Sequence, residues 1–439
     1  MGTHADLLAR HQKVLPSWMG LYYEDPISLV SGDGRRVIDA EGNEYLDFFG
    51  GILTTMTGYN VAKVVKAIQA QAEKMLHTST LYLIESQIEL AEKVAELSGI
   101  ADAKVFFTNS GTEANDAALM MATQHRKSNQ ILAIRNSYHG KSHSTVAITG
   151  NASWSATALS PFQVTFVHSG YKLRSPFGHL QDAEFIRACV DDLRDLLSIA
   201  TAGDVAAMIA EPIQGVGGFI VPPDGFFGAM KEVLDEHGIL FISDEVQTGW
   251  GRTGENFWGY QAHGMVPDML TFAKGLGNGM ALAGVVGRRE LIDAIPAKSI
   301  STFGGNPMST AAALANLDVL MEEDLQTNSY KVGVQLKNAI DQLSHEIPEI
   351  VEVRGKGLML GIELAEPETN EPTPAVVGAI LEAAKEEGLL IGTGGLHGNA
   401  LRIAPPLSLT ETEADEGFAL LETAIRRATG NENEGRVGR

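Results

Sequence analysis

The sequence predicts an α/β fold, a mostly parallel sheet with helices on both faces, followed by a smaller α+β domain. Two observations carry this expectation. From about Val61, helical patterns alternate with short apolar runs at 104–109, 130–134, 164–167, 205–210, 239–243 and 269–272, the order expected of strand–helix–strand crossovers. Near residue 325 the character changes, and a long helical run gives way to strand pairs around a proline-marked loop.

Taken in order, residues 1 to about 28 read as an arm with Trp18, Tyr22 and Tyr23 as packing anchors. Leu29 to Phe49 alternates around turn signals at Gly32–Gly34 and Glu41–Asn43, which predicts a small antiparallel meander. Helical spacing covers Val64–Leu76 and Ser86–Leu97. Lys104 to Asn109 then reads as a buried strand, Ser110–Thr112 as a tight turn, and Glu113 onward as a helix. Past residue 325, a helix from Asn328 to about Ile347 leads to strands at 350–354 and 359–364. A loop with Pro367, Pro372 and Pro374 follows, then strands at 389–391 and 400–403 and a helix after Thr410. Residues 429–439 are polar enough to fray. This divides the chain into 1–60, an arm and meander packing with the C-terminal domain; 61–325, the large domain; and 326–439, the small one.

Composition narrows the classes of function. The 439 residues are 44% hydrophobic and 20% charged, enough for two domains with a sizeable core. Thirty-three basic against fifty-five acidic residues leave a net charge of −22, which disfavours nucleic acid and anionic membrane as partners. One cysteine, Cys189, excludes an intrachain disulfide framework and is read as a reduced thiol on a helix. There is no run of about 18 apolar residues and no secretory plan, so a cytoplasmic location is expected. His139, His143 and His168 lack metal-ligand spacing, so no metal is assigned.

The chemistry gathers at strand ends. Asp244 closes one apolar run and Lys274 follows another, each before a glycine-containing turn, so both can project into the crevice where open α/β sheets bind ligands. An acid and a lysine so placed suit pyridoxal phosphate: the carboxylate keeps the ring nitrogen protonated, and the lysine forms a Schiff base with the aldehyde and shuttles protons. A capping aspartate and a surface lysine are the plainer alternative. Ser110, Gly111 and Thr112, before a helix, offer a phosphate the unpaired amides and positive end of that helix, although an ordinary N-cap has the same residues. Tyr138, with His139 and Gly140 behind it, could stack on a flat ring; Glu211 ends a further strand; and Gln247 could reach the phenolic oxygen of the ring. Arg402 offers a planar fork for a carboxylate.

In order, Ser110 to Asn115, Tyr138-His-Gly140, Glu211 to Gly215, Asp244 to Gly249, Ala273-Lys-Gly275, Thr302 to Pro307 and Arg402 to Pro406 resemble the pattern of class III aminotransferases, from about Ser31 to Glu422. Tyr45 to Ile52, Leu76 to Thr80, Glu211 to Gly218, Phe303 to Met308 and Val353 to Met359 most resemble the alanine–glyoxylate aminotransferase 2 group. The resemblance implies a fold-type-I enzyme with a seven-stranded type of sheet, forming a homodimer; whether dimers pair into tetramers stays open. It implies that Lys274 holds pyridoxal phosphate, Asp244 pairs with its ring nitrogen, and Ser110, Gly111 and Thr112 hold its phosphate. Tyr138, His139, Glu211, Val246 and Gln247 would complete the cofactor site, with Thr302 reaching the partner subunit's phosphate. Ile52, Val216 and Arg402 would line the substrate side. Ornithine- and 4-aminobutyrate-type members place a glutamate where this chain has Val216, so Arg402 should stay open to small 2-oxo acids such as pyruvate or glyoxylate. Enzymes of those types using 2-oxoglutarate, and decarboxylase or aminomutase chemistry on the same scaffold, are the alternatives. Gly58-Tyr-Asn60 departs from the histidine usual near that point.

Overall fold

A computed structural model describes residues 4–430 of the chain. The N-terminal arm carries a helix, His4–Val14, with no buried side chain. The expected anchors divide: Tyr22 stacks on Phe49 and Tyr23 packs onto the core, whereas Trp18 lies 80% exposed. Strands β1 (Leu29–Asp33), β2 (Arg36–Asp39) and β3 (Glu44–Asp47) form the antiparallel meander.

The large sheet holds β4 (Ala103–Thr108), β5 (Gln130–Ile134), β6 (Gln163–Val167), β7 (Ala207–Ala210), β8 (Leu240–Asp244), β9 (Met269–Phe272) and β10 (Ala283–Arg288), in the order β4-β10-β9-β8-β7-β5-β6. Every pairing from β9 through β6 is parallel, and β10 runs antiparallel between β4 and β9. Six of these strands fall on the expected apolar runs. The seventh, β10, reads Ala-Gly-Val-Val-Gly-Arg and was hidden by its glycines. Gly284 is there for close approach: a Cβ would sit 2.7 Å from the Phe106 carbonyl oxygen and 2.7 Å from the Phe272 ring.

Helices cover both faces because each presents one apolar stripe. Gly111–Arg126 buries Ala114, Ala117, Ala118, Leu119, Met121 and Ala122 on one side. On the other side Asp182–Ile199 and Phe226–Glu236 bury Phe185, Cys189, Leu193, Phe226, Phe227 and Met230. Each fully buried large side chain is worth about 1.5–3 kcal/mol, so this double layer fixes the strand ends between it. Cys189 is unpaired and buried on its helix.

Helix Leu325–Ser344 leads to β11 (Ile350–Lys356), β12 (Met359–Leu364), β13 (Leu389–Leu390), β14 (Gly392–Gly394) and β15 (Ala400–Ile403). β11, β12, β15 and β14 make an antiparallel sheet. β13 pairs parallel with β3, with Leu389 opposite Leu46, so the meander gains its fourth strand from the far end of the chain. The expected strand at 389–391 is therefore two strands, in different sheets, split at Ile391. Helix Glu411–Thr429 carries a full capping box at Thr410 and Glu413 and ends at Gly430. Thr429 is thus helical rather than frayed, and residues 431–439 of the expected tail lie outside the described residues.

Candidate active site

Parallel strands aim their C-terminal ends to one edge, and the candidate residues leave from there: Asp244 from β8, Lys274 just past β9, Glu211 just past β7, and Tyr138 and His139 past β5. The structure brings these together with the start of helix Gly111–Arg126, Gln247, Val216 and Arg402.

Asp244 is buried and clamped. Its Oδ2 accepts from Asn115 Nδ2 at 2.8 Å and from His139 Nδ1 at 2.8 Å, and its Oδ1 accepts from the Val246 amide at 3.2 Å. Asn115 is held in turn by the Thr271 hydroxyl at 2.7 Å and donates to the His139 carbonyl at 2.8 Å. His139 therefore sits against Asp244, its Nδ1 proton directed at the carboxylate, while its Nε2 is buried with no hydrogen-bond partner.

Lys274 has a left-handed backbone, φ 46°, which a side-chain-bearing residue adopts at a cost of about 1–3 kcal/mol and which is concentrated at functional sites. Burial lowers its amine to about 8, the nearby Arg402 charge adds to this, and Asp244 and Glu211 pull the other way. Near neutral pH a useful fraction is thus the free, nucleophilic amine.

Glu211 is pushed up to about 7 by burial, with His139 opposing and Asp244 reinforcing. Its oxygens accept from the Tyr138 amide at 2.9 Å and the Gly215 amide at 2.8 Å, so it bridges two loops. Gln247 is buried against Gly215, where a Cβ would come within 2.2 Å of its Nε2, and its Oε1 has no partner. Tyr138 is partly buried and meets Trp154 edge to face, centroids 5.4 Å apart.

The phosphate candidates stand at the helix start. Ser110 is the N-cap, its Oγ accepting from the Glu113 amide at 3.3 Å, and Thr112 Oγ1 accepts from the Lys141 amide at 3.4 Å. Both readings of Ser110 thus share one geometry, since a capped start still leaves first-turn amides pointing outward. A Cβ on Gly111 would lie 3.0 Å from Val246, so the turn and Val246 close on each other.

Arg402 is buried on β15. Its Nε donates to the Thr393 carbonyl at 2.8 Å and its Nη1 to the Gly215 carbonyl at 3.5 Å; its guanidinium lies over Phe49 at 4.9 Å and Phe219 at 5.6 Å. Val216 is buried next door and accepts from the Gly395 amide at 2.9 Å. Ile52, 48% exposed, sits in a left-handed turn whose approach is fixed by Asp47, which accepts from the Phe49 and Gly50 amides. Thr302 is on an exposed loop, beside Ser301, whose hydroxyl meets Asn109 at 3.2 Å.

Sequence reasoning missed Asn115, Thr271, Phe49 and Phe219. Asn115 had a signal: a polar residue on the otherwise alanine-lined buried face of its helix. The others read as ordinary strand or core residues.

A phosphorylated aromatic aldehyde fits this set. A buried acid backed by His139 and Asn115 suits a ring nitrogen, a depressed lysine amine suits the aldehyde, and a glycine-opened helix start suits the dianion. The orphaned Gln247 Oε1 and His139 Nε2 are buried polar atoms of the kind a ligand or water satisfies. Fold and site together define a pyridoxal-phosphate-dependent transferase of fold type I.

The comparisons with known proteins agree. The sequence model of aminotransferase class III matches residues 22–425, and the chain belongs to that family. It is similar to the mitochondrial alanine–glyoxylate aminotransferase 2 homolog 2 of Arabidopsis thaliana, 40% identical, covering 94% of this chain and 86% of that protein. It is also similar to an alanine/serine racemase of Pyrococcus horikoshii, 36% identical, covering 96% of this chain and 90% of the relative. Among solved structures, a PLP-bound amine transaminase from an uncultivated Pseudomonas species superposes with a TM-score of 0.89 at 32% identity, covering 95% of this chain and 99% of that one. The protein is a PLP-dependent class III aminotransferase. Among the described residues, no helix is long and apolar enough to cross a membrane.

Proposed function

We propose that the protein moves an amino group from an amino acid or ω-amine to a small 2-oxo acid, pyruvate or glyoxylate, with Lys274 as the amine that holds the cofactor and moves the proton. Bound pyridoxal phosphate supplies the electron sink that lets a carbon bearing nitrogen lose its proton. Asp244, pinned by Asn115 and His139, would hold the ring-nitrogen end. Tyr138 and Val246 would bound the cofactor's slot, Gln247 would serve its phenolic oxygen, and the first-turn amides with Ser110, Gly111 and Thr112 would hold its phosphate. Lys274 would hold the cofactor's aldehyde and, as a free amine, would carry the proton from one carbon to the next, which its lowered basicity permits near neutrality.

The acceptor preference rests on one observation: Arg402 is buried and hydrogen-bonded to peptide carbonyls, with apolar Val216 beside it. A guanidinium whose planar fork is not taken by an internal carboxylate is free to grip that of a small oxo acid. Ile52 and Val216 then bound the rest of the substrate. We further read the protein as a cytoplasmic homodimer in which exposed Thr302 serves the partner's phosphate.

The test is a screen of amino donors against pyruvate, glyoxylate and 2-oxoglutarate, following half-reactions by the cofactor's absorbance. Pyruvate or glyoxylate should exceed 2-oxoglutarate in kcat/KM, and Lys274→Ala should abolish multiple turnover. Preference for 2-oxoglutarate, or net racemisation, decarboxylation or isomerisation without any oxo acid, would overturn the reading.

A further inference from the structure

With Val216 beside Arg402, the open question is what the buried guanidinium holds when a substrate brings no carboxylate to it. The inference rests on the reading of Arg402 given above. Nε is committed to Thr393, and the guanidinium lies over the rings of Phe49 and Phe219. A further contact comes from the N-terminal arm. The Tyr22 hydroxyl accepts from the Thr393 amide at 3.4 Å, and the Thr393 carbonyl accepts from Arg402 Nε at 2.8 Å, so the two backbone groups of one residue set the phenol beside the guanidinium, where its oxygen bears on the arginine's charge. The Tyr22 ring lies nearly parallel to Phe49, centroids 6.0 Å apart at 18°, so Phe49 packs against both Arg402 and Tyr22.

The arm is fastened next to this tyrosine. Lys385 Nζ lies 4.8 Å from the Tyr23 ring centre, Tyr23 meets Tyr22 edge to face at 6.0 Å, and the Glu24 amide donates to Glu382 at 2.7 Å. Tyr22 itself stays 36% exposed, at the rim of the crevice.

We propose that Tyr22 is a specificity-determining residue: its phenolic oxygen is the partner that Arg402 keeps when the bound amine has no carboxylate at that end, and the carboxylate of a 2-oxo acid displaces it. The energetics favour a neutral oxygen in this place. A carboxylate brings an opposite charge and a second parallel hydrogen bond to the guanidinium, neither of which a phenol offers, so an incoming carboxylate outcompetes the phenol. Between substrates, the phenol spares the buried cation a lost acceptor. A glutamate there would hold Arg402 far more firmly and neutralise it. The arrangement therefore serves two substrate classes in turn, a carboxylate-bearing acceptor and a carboxylate-free amine donor.

The experiment compares wild-type holoenzyme with Tyr22→Phe, which keeps the ring stack, and Arg402→Lys. It measures KM for pyruvate, the half-reaction rate with 1-phenylethylamine, and the calorimetric affinity of the holoenzyme for 2-methylpropanoate, a carboxylate that cannot react. Loss of one net hydrogen bond of about 0.5–1.5 kcal/mol corresponds to roughly a threefold to tenfold effect. Tyr22→Phe should lower the pyruvate KM and tighten 2-methylpropanoate by about that factor, and slow the 1-phenylethylamine half-reaction by a similar one. A raised KM and weakened 2-methylpropanoate binding would show the hydroxyl helping to hold the carboxylate, and would overturn the proposal, as would no change in any of the three. If Arg402→Lys weakens pyruvate and Tyr22→Phe does nothing, only this inference falls. If Arg402→Lys leaves pyruvate and 2-methylpropanoate untouched, the carboxylate reading falls and the inference with it.

Discussion

At the scale of single residues, the site works by placing charged groups where water cannot relax them. Lys274 at about 8 gives a direct expectation. In cofactor-free protein, acetylation of Lys274 followed by mass spectrometry should rise through a midpoint near pH 8, while exposed lysines rise near their ordinary value of about 10.4. A Lys274 midpoint at that ordinary value would remove the argument from burial. Glu211 has the opposite sign: its folded pKa is raised, so the stability it contributes is full at low pH and lost as pH rises through about 7. Glu211→Gln cannot titrate and leaves one of the Tyr138 and Gly215 amides without an acceptor. The stability gap between wild-type and Glu211→Gln apoprotein should be wider at pH 5.5 than at pH 8, by on the order of 2 kcal/mol, in parallel denaturant titrations. For Asn115→Ala, which removes one of the two side-chain donors to Asp244, cofactor affinity should fall about tenfold, as a charge-assisted hydrogen bond is worth roughly 1.5–3 kcal/mol. Spectrophotometric titration of apoprotein with pyridoxal phosphate measures it. Asp244 and Lys274 were legible in the sequence because each ends an apolar run with a charged residue. Asn115 and Thr271 were not, because a helix face and a strand 156 positions apart reveal a shared hydrogen bond only once folded.

Between elements, what matters is how closely two of them pass. Gly215 lets its loop lie against Gln247, and the Cβ of Gly215→Ala would stand 2.2 Å from Nε2. That substitution should push the loop outward, move the Val216 wall and the carbonyl that Arg402 uses, and raise KM for oxo acids several-fold with less effect on kcat. Steady-state kinetics on a variant with unchanged circular dichroism would show the split; equal losses in both would mean general damage. The same kind of approach hid β10 from the sequence, for Gly284 interrupts the apolar pattern where Phe106 and Phe272 crowd in. Strands with unbroken apolar runs were legible, two of them to the residue at Gln130–Ile134 and Met269–Phe272. The split between β13 and β14 was not, because Leu389 to Ile391 reads as one apolar run and the two strands join different sheets.

For the whole molecule, the surface carries an apolar area that a single chain does not cover. Met75, Leu76, Leu81, Tyr82 and Leu83 are 51–92% exposed, and His77 packs on Phe303, joining this segment to the loop of Thr302. Exposed apolar area of this kind marks an interaction surface, and its continuity with Thr302 supports the homodimer proposed above. Leu83→Asp, 92% exposed in the single chain, should therefore leave the fold intact yet shift sedimentation toward monomer and lower cofactor retention. An unchanged sedimentation coefficient would place the interface elsewhere.

The pairing of β3 with β13 also has a bearing on how the chain is made. Residues 44–47 leave the ribosome long before Leu389 and Leu390, which complete their sheet. At about 5–20 residues per second the wait is roughly 20–70 s. Through that interval the meander shows an open strand edge and the apolar side chains of Leu46 and Phe48, both fully buried in the finished protein. Production in a host should thus depend on holding factors that shield nascent chains, and slower translation should lengthen the period in which this segment can stick to its neighbours.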